Sequence, residues 1–255
     1  MTQYYFLSCA FPKIKLGEKP ELSSEALRHL MDMNLSCPDK KMLSDFLLLT
    51  DLDNLRRLWL ERPLDIKGNL SPGELEDALQ RRDFFPDYVF DFIDRFESNK
   101  ERLQNFSELL VIYFRERERE GRFFKNYFMF ERDVRLILCA LRAKAEGSDV
   151  AVALQYEDPQ DILTAYILAQ KDMDSFEPPA EYAGLKRVFM ENMTDPLRLY
   201  YAVEEYRFEK IGEMIEPYPF SADFVFGFLA QLIIVENWAA HNRAAGREII
   251  SSLIG

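Results

Sequence analysis

Glycine and histidine are scarce in this sequence, and each shortage narrows the chemistry open to the chain. The 255 residues include 10 Gly and only two His. A phosphate-binding loop needs closely spaced glycines before a helix and a Lys-Ser or Lys-Thr ending, and no stretch has that pattern. No Gly-x-Ser-x-Gly elbow occurs either. The sequence therefore gives no support for a P-loop nucleotide site or a hydrolase nucleophile.

Cysteine is also rare. Cys9, Cys37 and Cys139 are widely spaced, and no Cys-x-x-Cys pair exists. This spacing favours neither a zinc ribbon nor a disulfide framework. We expect three buried thiols in a reducing cytosol.

The two histidines leave few options for a metal or an acid–base pair. Glu25 and His29 are four residues apart on a predicted helix, an acceptable ligand spacing, whereas His241 follows Glu236 by five. A helical di-iron site would require two Glu-x-x-His pairs. We predict no metal and no cofactor. A helical enzyme that uses Glu or Asp with His29 or His241 is the remote alternative.

Basic residues are outnumbered by acidic ones. The chain has 32 Lys and Arg against 44 Asp and Glu, a net charge of −12. This balance argues against nucleic acid and against general attraction to an anionic membrane. The longest apolar run, residues 224–235, contains Gln231 and is shorter than the ~20 residues of a spanning helix. We expect a cytoplasmic protein that inserts in no membrane and reaches one only through partners.

Helix signals occupy most of the chain. Ser71 to Glu74 form a capping box with Pro at the first helical position. Asp158-Pro159 and Asp195-Pro196 repeat an acidic cap followed by Pro. Alternation with a period of two is almost absent, and only QYYFLSC near the start has the aromatic density of a strand. The predicted fold class is all-α.

Apolar residues at helical spacing support the same fold class. With 21 Phe and 12 Tyr, the helices should pack through aromatic rings. Three such faces comprise Phe85, Tyr88, Val89, Phe92, Ile93 and Phe96; Phe130, Val134, Ile137, Leu138 and Leu141; and Leu197, Tyr201, Phe208, Ile211 and Ile215. Arg115 to Glu120 (RERERE) is interpreted as a solvated helix end, with a contact for an acidic partner as the alternative.

One helix pattern recurs along the chain. LTDLDNLRRLWL (49–60) aligns with ERDVRLILCALR (131–142), each with Asp in the third place, and IIVENWAAHNRAAGR (233–247) is a looser echo. Repeats of this kind indicate related helical units. We predict three pseudo-repeated helical lobes, 1–98, 99–178 and 179–255, packed as one body.

Two of these stretches resemble a known family. FERDVRLILCALRAKAEG (130–147) is similar to the acidic, apolar, RAK and Gly helix of the C/d family, the central-stalk subunits of V-type and A-type ATP synthases. Residues 195–214 and 219–249 resemble that family's C-terminal third, where a Pro-capped aromatic helix precedes an apolar helix with a Gly-basic pair, here Gly246 and Arg247. Leu136 departs from the usual Asn, which Asn54 supplies in the first repeat. The chain resembles a short, divergent bacterial version.

The resemblance implies a function without chemistry. Family members form a funnel of three helical lobes that joins the central axle of the soluble ATPase head to the membrane proteolipid ring. The expected protein is a non-catalytic rotor subunit, peripheral to the inner membrane through the complex and a monomer outside it. Its expected partners are the axle subunits and the ring. A freestanding helical adaptor or assembly factor related to that subunit is the alternative.

The residues that mark the repeated helices are the candidate site residues. They serve either as caps and ion pairs inside each lobe or as partner contacts. These residues are Asp51, Asn54, Arg56, Glu131, Asp133, Arg135, Arg142, Lys144, Glu236 and Arg247. No catalytic, cofactor-binding or metal residue is predicted.

Overall fold

The computed structural model describes the backbone of residues 4–117 and 122–254 and the side chains of 4–117 and 124–241. These residues form thirteen α-helices and one 3₁₀ turn, with no strand among them, which confirms the all-α prediction. The helices are α1 (Tyr5–Ala10), α2 (Ser24–Asn34), α3 (Cys37–Trp59), α4 (Pro72–Arg81), α5 (Asp87–Arg95), α6 (Asn99–Asn105), α7 (Ser107–Arg117), α8 (Arg122–Glu146), α9 (Val150–Ala153), α10 (Ile162–Leu168), α11 (Ala183–Asn192), α12 (Pro196–Ile215) and α13 (Ala222–Ile254).

The chain divides into two compact units. Unit 1 combines the residues up to Lys40 with those from Glu177 onward, and unit 2 runs from Lys41 to Phe176. The three-lobe pseudo-repeat, its boundaries and the funnel stay predictions.

Unit 1 is built on the long helix α13, which packs against α12, α2 and α1. Gly227 allows α12 to approach closely, because a Cβ there would lie 2.2 Å from Ile215 Cγ2. Asp195 caps α12 as predicted, accepting hydrogen bonds from the backbone N–H groups of Leu197 and Arg198 at 3.0 and 3.1 Å. Leu197 itself is 42% exposed, so the buried face of α12 begins at Leu199.

Residues 222–241 of α13 meet the length and composition of a membrane span. Within the described chain they form one 20-residue segment with a mean hydropathy of 1.3. This segment is longer than the apolar run 224–235 on which the sequence prediction relied. Half of the segment is buried inside the protein. Val225, Phe226 and Leu229 are fully buried in unit 1. One such segment is weak evidence for a span, because a core helix passes the same test.

Unit 2 has the aromatic core that its composition predicts. The ring of Phe46 on α3 lies 5.4 Å from Tyr127 and 6.4 Å from Phe128, both on α8. Tyr113 on α7 meets Phe128 edge to face at 5.6 Å. Offset and edge-to-face pairs of this kind stabilise a core beyond the area they bury. Most residues of the predicted apolar faces of α5 and α8 are buried here, including Phe92, Ile137 and Leu141.

Two of the three predicted helix starts are confirmed, and one is wrong. Ser71 and Glu74 form the capping box of α4, and Asp195 is the N-cap of α12. Asp158 caps no helix: it accepts from the N–H of Gln160 at 2.9 Å in a turn. Asp161 is the cap of α10, with the N–H of Thr164 2.9 Å from Oδ1. Arg132 holds the Asp161 carboxylate at 2.8 Å beside the helix start, which favours this residue.

Two further expectations need correction, and the one stretch with the composition of a strand is now assigned. The aromatic N-terminal stretch is helical in α1. Cys9 and Cys37 are exposed and only Cys139 is largely covered, because Cys9 lies on a short helix with one buried residue and Cys37 begins α3. Arg117 is buried and 3.1 Å from Asp45 Oδ1, so the charged run is not wholly solvated. Residues 118–120 of that run lie outside the described part of the chain.

Candidate functional site

The candidate residues lie on three helices, α3, α8 and α13. Each helix carries an acidic side chain, and in the described residues these acids have quite different partners. Arg247 also lies on α13, but its side chain is outside the described part of the structure.

On α3, Asp51 and Asn54 hold the segment 61–70, which we call the 61–70 loop. Asp51 is fully buried and accepts from Asn69 Nδ2 at 2.7 Å and from the N–H of Leu70 at 3.2 Å. Asn54 donates to the carbonyl of Asp65 at 2.8 Å and accepts from its N–H at 2.7 Å. Both side chains therefore bind loop atoms inside unit 2.

Arg56, the third candidate on α3, lies on the solvent-exposed side of the helix. Its side chain is 53% exposed and lies 3.9 Å from Asp53. The guanidinium lies 5.8 Å from the centre of the Phe106 ring. Exposed pairs of this kind contribute little to stability, so the Arg56 side chain adds little to the stability of unit 2.

On α8, an ion-pair network surrounds Arg132, a residue absent from the sequence prediction. Arg132 is 8% exposed. Its Nη2 lies 2.8 Å from Asp161 Oδ1 and 3.7 Å from Glu157 Oε2. Arg135 also pairs with Glu157, through Nη2 and Oε1. Two guanidinium groups thus neutralise carboxylates from the segment that leads into α10.

The predicted acids of α8 lie at the edge of this network. Asp133 Oδ1 is 3.7 Å from Arg132 Nη1. Glu131 is 8% exposed and has an interaction of its own. Glu131 is therefore buried in unit 2, whereas Asp133 is partly exposed and pairs with Arg132.

The network changes the proton affinities of its members. Burial would lower the pKa of Arg132, but the hydrogen bond to Asp161 and the charges of Asp161, Glu157 and Asp133 outweigh it, so the pKa is raised. Burial would raise the pKa of Asp161, yet hydrogen bonds from Arg132 and Thr164 bring it below its ordinary value. Both groups are therefore held in their charged forms at neutral pH.

A cleft of about 420 Å³ opens onto the network in unit 2. It is lined by Val111, Arg115, Arg132, Glu157, Asp158, Gln160 and Asp161. Its charges are mixed, and the buried arginine already has carboxylate partners. Neither histidine lines it: His29 and His241 are exposed on α2 and α13. In the described residues, no group of three His, Cys, Asp or Glu could hold a metal ion.

The remaining candidates of α8 lie at its C-terminal end. Lys144 Nζ donates to the carbonyls of Lys171 and Met173, both at 2.5 Å, and so fixes the segment after α10. Arg142 is exposed. Between the network and these residues, burial raises the pKa of the Cys139 thiol although Arg135 and Arg142 oppose the shift.

On α13, Glu236 fixes the start of α2 in unit 1. Its two carboxylate oxygens accept from the N–H of Ser24 at 2.8 Å and from Ser24 Oγ at 2.6 Å. A carboxylate at this position also faces the positive end of the α2 dipole. Near it, Tyr201 packs on Trp238 at 4.4 Å and Tyr200 on His241 at 4.6 Å. Both tyrosines therefore pack on rings of α13.

Sequence reasoning missed Arg132, Glu157 and Asp161. Arg132 precedes Arg135 by one helical turn, so the pair could have been recognised as one charged face of α8. No local signal connects that face to Glu157 or Asp161, which lie beyond α9. Only the folding of α8 against the segment before α10 brings the four side chains together.

Comparisons with known proteins identify relatives over the whole chain. A family model described as "Protein of unknown function (DUF2764)" matches residues 1–255. An uncharacterized protein of Chlamydia muridarum is 28% identical over 258 residues, covering 98% of this chain and 97% of that protein. Uncharacterized proteins of Chlamydia trachomatis serovar D and Chlamydia pneumoniae are 26% and 28% identical, covering 98% and 99% of this chain and 97% and 98% of those proteins. No solved structure matches the chain.

Proposed function

The chain belongs to the DUF2764 family, and we propose that it serves as a non-catalytic central-stalk subunit of a V-type rotary ATPase. In this role it joins the axle of the soluble head to the proteolipid ring of the membrane. The proposal starts from the resemblance of residues 130–147 and 195–249 to the C/d family of central-stalk proteins. Those residues supply most of α8, α12 and α13.

One observation carries the proposal. On two of the three repeated helices, an acid binds the backbone of another segment: Asp51 on α3 holds the 61–70 loop, and Glu236 on α13 holds the start of α2. A helix that fixes its connections in this way deforms little, as a torque-transmitting part requires. Dense aromatic packing in each unit adds to that stiffness, because closely packed interiors have low compressibility.

The charge of the chain indicates how such a protein would be oriented. Charge complementarity selects partners and fixes their register more than it adds affinity. A chain with a net charge of −12 would need a net basic surface on the axle or the ring. Arg56 and Arg142 are exposed candidates for a contact with an acidic patch on one of them.

Purification from membranes tests the proposal. We expect the tagged, full-length protein to recover axle and proteolipid subunits from detergent-solubilised membranes. Recovery should fall as salt is raised toward about 1 M, where the screening length shrinks to about 3 Å. Recovery of isolated subunits without the assembled complex would instead support the adaptor or assembly factor. Recovery of no ATPase subunit contradicts both.

A pair of charge reversals locates the contact. Arg142→Glu should lower recovery several-fold if the exposed end of α8 faces an acidic surface of the complex. Arg81→Glu is the matched control, because Arg81 is an exposed arginine on α4 of the same unit. Equal recovery with both variants would remove the α8 end from the contact while leaving the rest of the proposal standing.

A further inference from the structure

Two turns of the chain, one in each unit, have similar sequences and the same unusual backbone conformation. DYVFDFI (87–93) in α5 aligns with DFVFGFL (223–229) in α13, and a phenylalanine precedes each of these stretches by three residues. The two phenylalanines are Phe84 and Phe220. Their φ angles are +67° and +69°, in the left-handed region that a bulky side chain rarely enters.

The burial of the two segments agrees as well. Three aligned pairs are each 6% exposed or less, namely Val89 with Val225, Phe90 with Phe226, and Phe92 with Phe228. Any two amphipathic helices share part of such a pattern, but a left-handed phenylalanine before the helix is not part of it. The two turns therefore share one local structure and can be compared directly.

In unit 1, α1 covers the turn at Phe220. The ring of Tyr5 lies 5.0 Å from the ring of Phe220. The N–H of Tyr4, the residue before α1, donates to the carbonyl of Phe220 at 2.6 Å. A short helix without charged residues, YFLSCA, thus brings an aromatic ring to the phenylalanine and a backbone donor to its carbonyl. This contact shows what kind of element the turn binds.

In unit 2, the turn at Phe84 has no such cover among the described residues. Phe84 is 45% exposed, and its ring meets the neighbouring Phe85 edge to face at 5.4 Å. No donor in the described part of the chain reaches the Phe84 carbonyl. A left-handed phenylalanine costs free energy, and residues held in such conformations cluster at binding sites.

The charges around Phe84 indicate what takes the place of α1 in unit 2. Asp83, Asp87 and Asp91 are exposed, and none of them forms an ion pair within the described chain. The two arginines before them, Arg81 and Arg82, pair with other aspartates at 3.6 and 2.8 Å. The turn of unit 2 therefore presents carboxylates beside the exposed ring.

The turn of unit 1 is less acidic at the matching positions. It has one acid, Asp223, and carries Pro219 and Gly227 at the other two. Its cover, α1, has no charged residue either. Because charge complementarity selects partners, the element that covers Phe84 must be basic as well as aromatic. The α1 helix of a second copy would leave the carboxylates of unit 2 uncompensated.

We infer that the turn at Phe84 is a docking site for an aromatic, basic helix of another subunit of the rotary ATPase, which covers Phe84 as α1 covers Phe220. This inference rests on the proposed function and adds which segment makes the contact and what chemistry its partner has. The partner's ring packs on Phe84, and a backbone N–H of the partner bonds to the Phe84 carbonyl. Lys or Arg side chains of the same helix meet Asp87 and Asp91.

Site-specific photo-cross-linking identifies the occupant. A photoreactive phenylalanine analogue is placed at position 84 of the tagged, full-length protein, or at position 162 as the control. Ile162 is 88% exposed and begins α10 of the same unit. We expect position 84 to cross-link to a segment of an ATPase subunit that carries an aromatic residue with Lys or Arg, and position 162 not to reach that segment. A cross-link to a second copy or to an acidic segment, or no cross-link, overturns the inference.

Phe84→Gly separates docking from stability, because glycine adopts the left-handed conformation without strain. Recovery of ATPase subunits from detergent-solubilised membranes should fall by about tenfold or more, the scale of losing one buried aromatic ring from an interface. The urea midpoint of unfolding should change little. Asp91→Lys should lower recovery several-fold by reversing a charge, and Ile162→Ala, the matched control, should leave it unchanged.

The outcomes distinguish this inference from the proposed function. If the parent protein recovers ATPase subunits and Phe84→Gly recovers them equally well, the docking site is overturned and the proposed function stands. An equal fall for Phe84→Gly and Ile162→Ala also overturns the docking site. If the parent protein recovers no subunit, both proposals fail.

Discussion

Helices α3 and α8 share a sequence pattern but use it in different ways within the same unit. On α3, the aligned acid Asp51 and its neighbour Asn54 bind backbone and amide groups of one loop. On α8, Arg132 and Arg135 bind the carboxylates of Glu157 and Asp161. The first arrangement fixes a backbone path, and the second balances charges. An amphipathic helix pattern thus specifies the buried face, whereas the segment that folds against it decides the polar contacts.

One of the two largest expected effects concerns the backbone anchor. Asp51→Ala should lower the free energy of unfolding by about 3 kcal/mol, because it leaves buried donors of the 61–70 loop without an acceptor. Gly68→Ala should cost about 2 kcal/mol by forcing a Cβ against Asp51. With residue 51 reduced to Ala, the same Gly68→Ala change should cost much less. Urea unfolding of the four proteins measures this coupling.

Additive effects in that cycle would contradict the geometry. They would mean that Asp51 and residue 68 do not share space, and that the loop is held by other contacts.

In the ion-pair network around Arg132, removing a charge should lower the free energy of unfolding even when the shape of the side chain is kept. Glu157→Gln keeps the shape of the side chain but removes the negative charge between Arg132 and Arg135, so we expect a loss of about 3 kcal/mol in unfolding free energy. Asp158→Asn is the matched control, because Asp158 lines the same cleft but is exposed. Its effect should stay within about 0.5 kcal/mol. Equal effects at both positions would show that the buried pairing contributes nothing.

The smallest expected effect depends on pH. The folded-state pKa of Asp161 lies below its ordinary value of 3.8. Its ion pair therefore stabilises the protein above that value and ceases to do so as the pH falls through the lower, folded-state pKa. Asp161→Asn should cost about 2 kcal/mol at pH 7, a loss on the scale of one hydrogen bond to a charged group.

That difference should shrink as the pH falls below about 4. Urea unfolding of the parent and variant proteins at several pH values measures it, and asparagine retains the ability to cap α10. A difference that stays constant down to about pH 3 would show that the charge of Asp161 has no part in stability.

Local signals predicted the helix ends well where the chain itself supplies the partner. Ser71 with Glu74 and Asp195 with Pro196 are caps whose acceptors and donors lie within three residues. Asp158 and Asp161 are both plausible caps by the same rule. In the structure Asp161 is the cap, and its carboxylate is also held by Arg132 from α8. A cap can therefore be recognised in sequence, but two adjacent candidates cannot be ranked without the tertiary contacts.

The candidate residues show the same limit. Spacing correctly placed Asp51, Arg135 and Glu236 on helices with one apolar face. It could not show that Asp51 is fully buried under the 61–70 loop or that Glu236 meets the start of α2. Cys9 and Cys37 were predicted to be buried, but both are exposed. Helix pattern and residue type say little about which helix ends and short helices are covered by other segments.

The order of amino acids by itself determined that this protein is helical, where several helices begin, and which of their faces are apolar. Those properties depend on interactions between residues three or four positions apart. The tertiary structure alone decided that Glu236 of α13 meets the start of α2, that α8 pairs with Glu157 and Asp161, and that the ring of Tyr5 covers Phe220. These outcomes depend on burial and on contacts between distant segments, which no local spacing encodes.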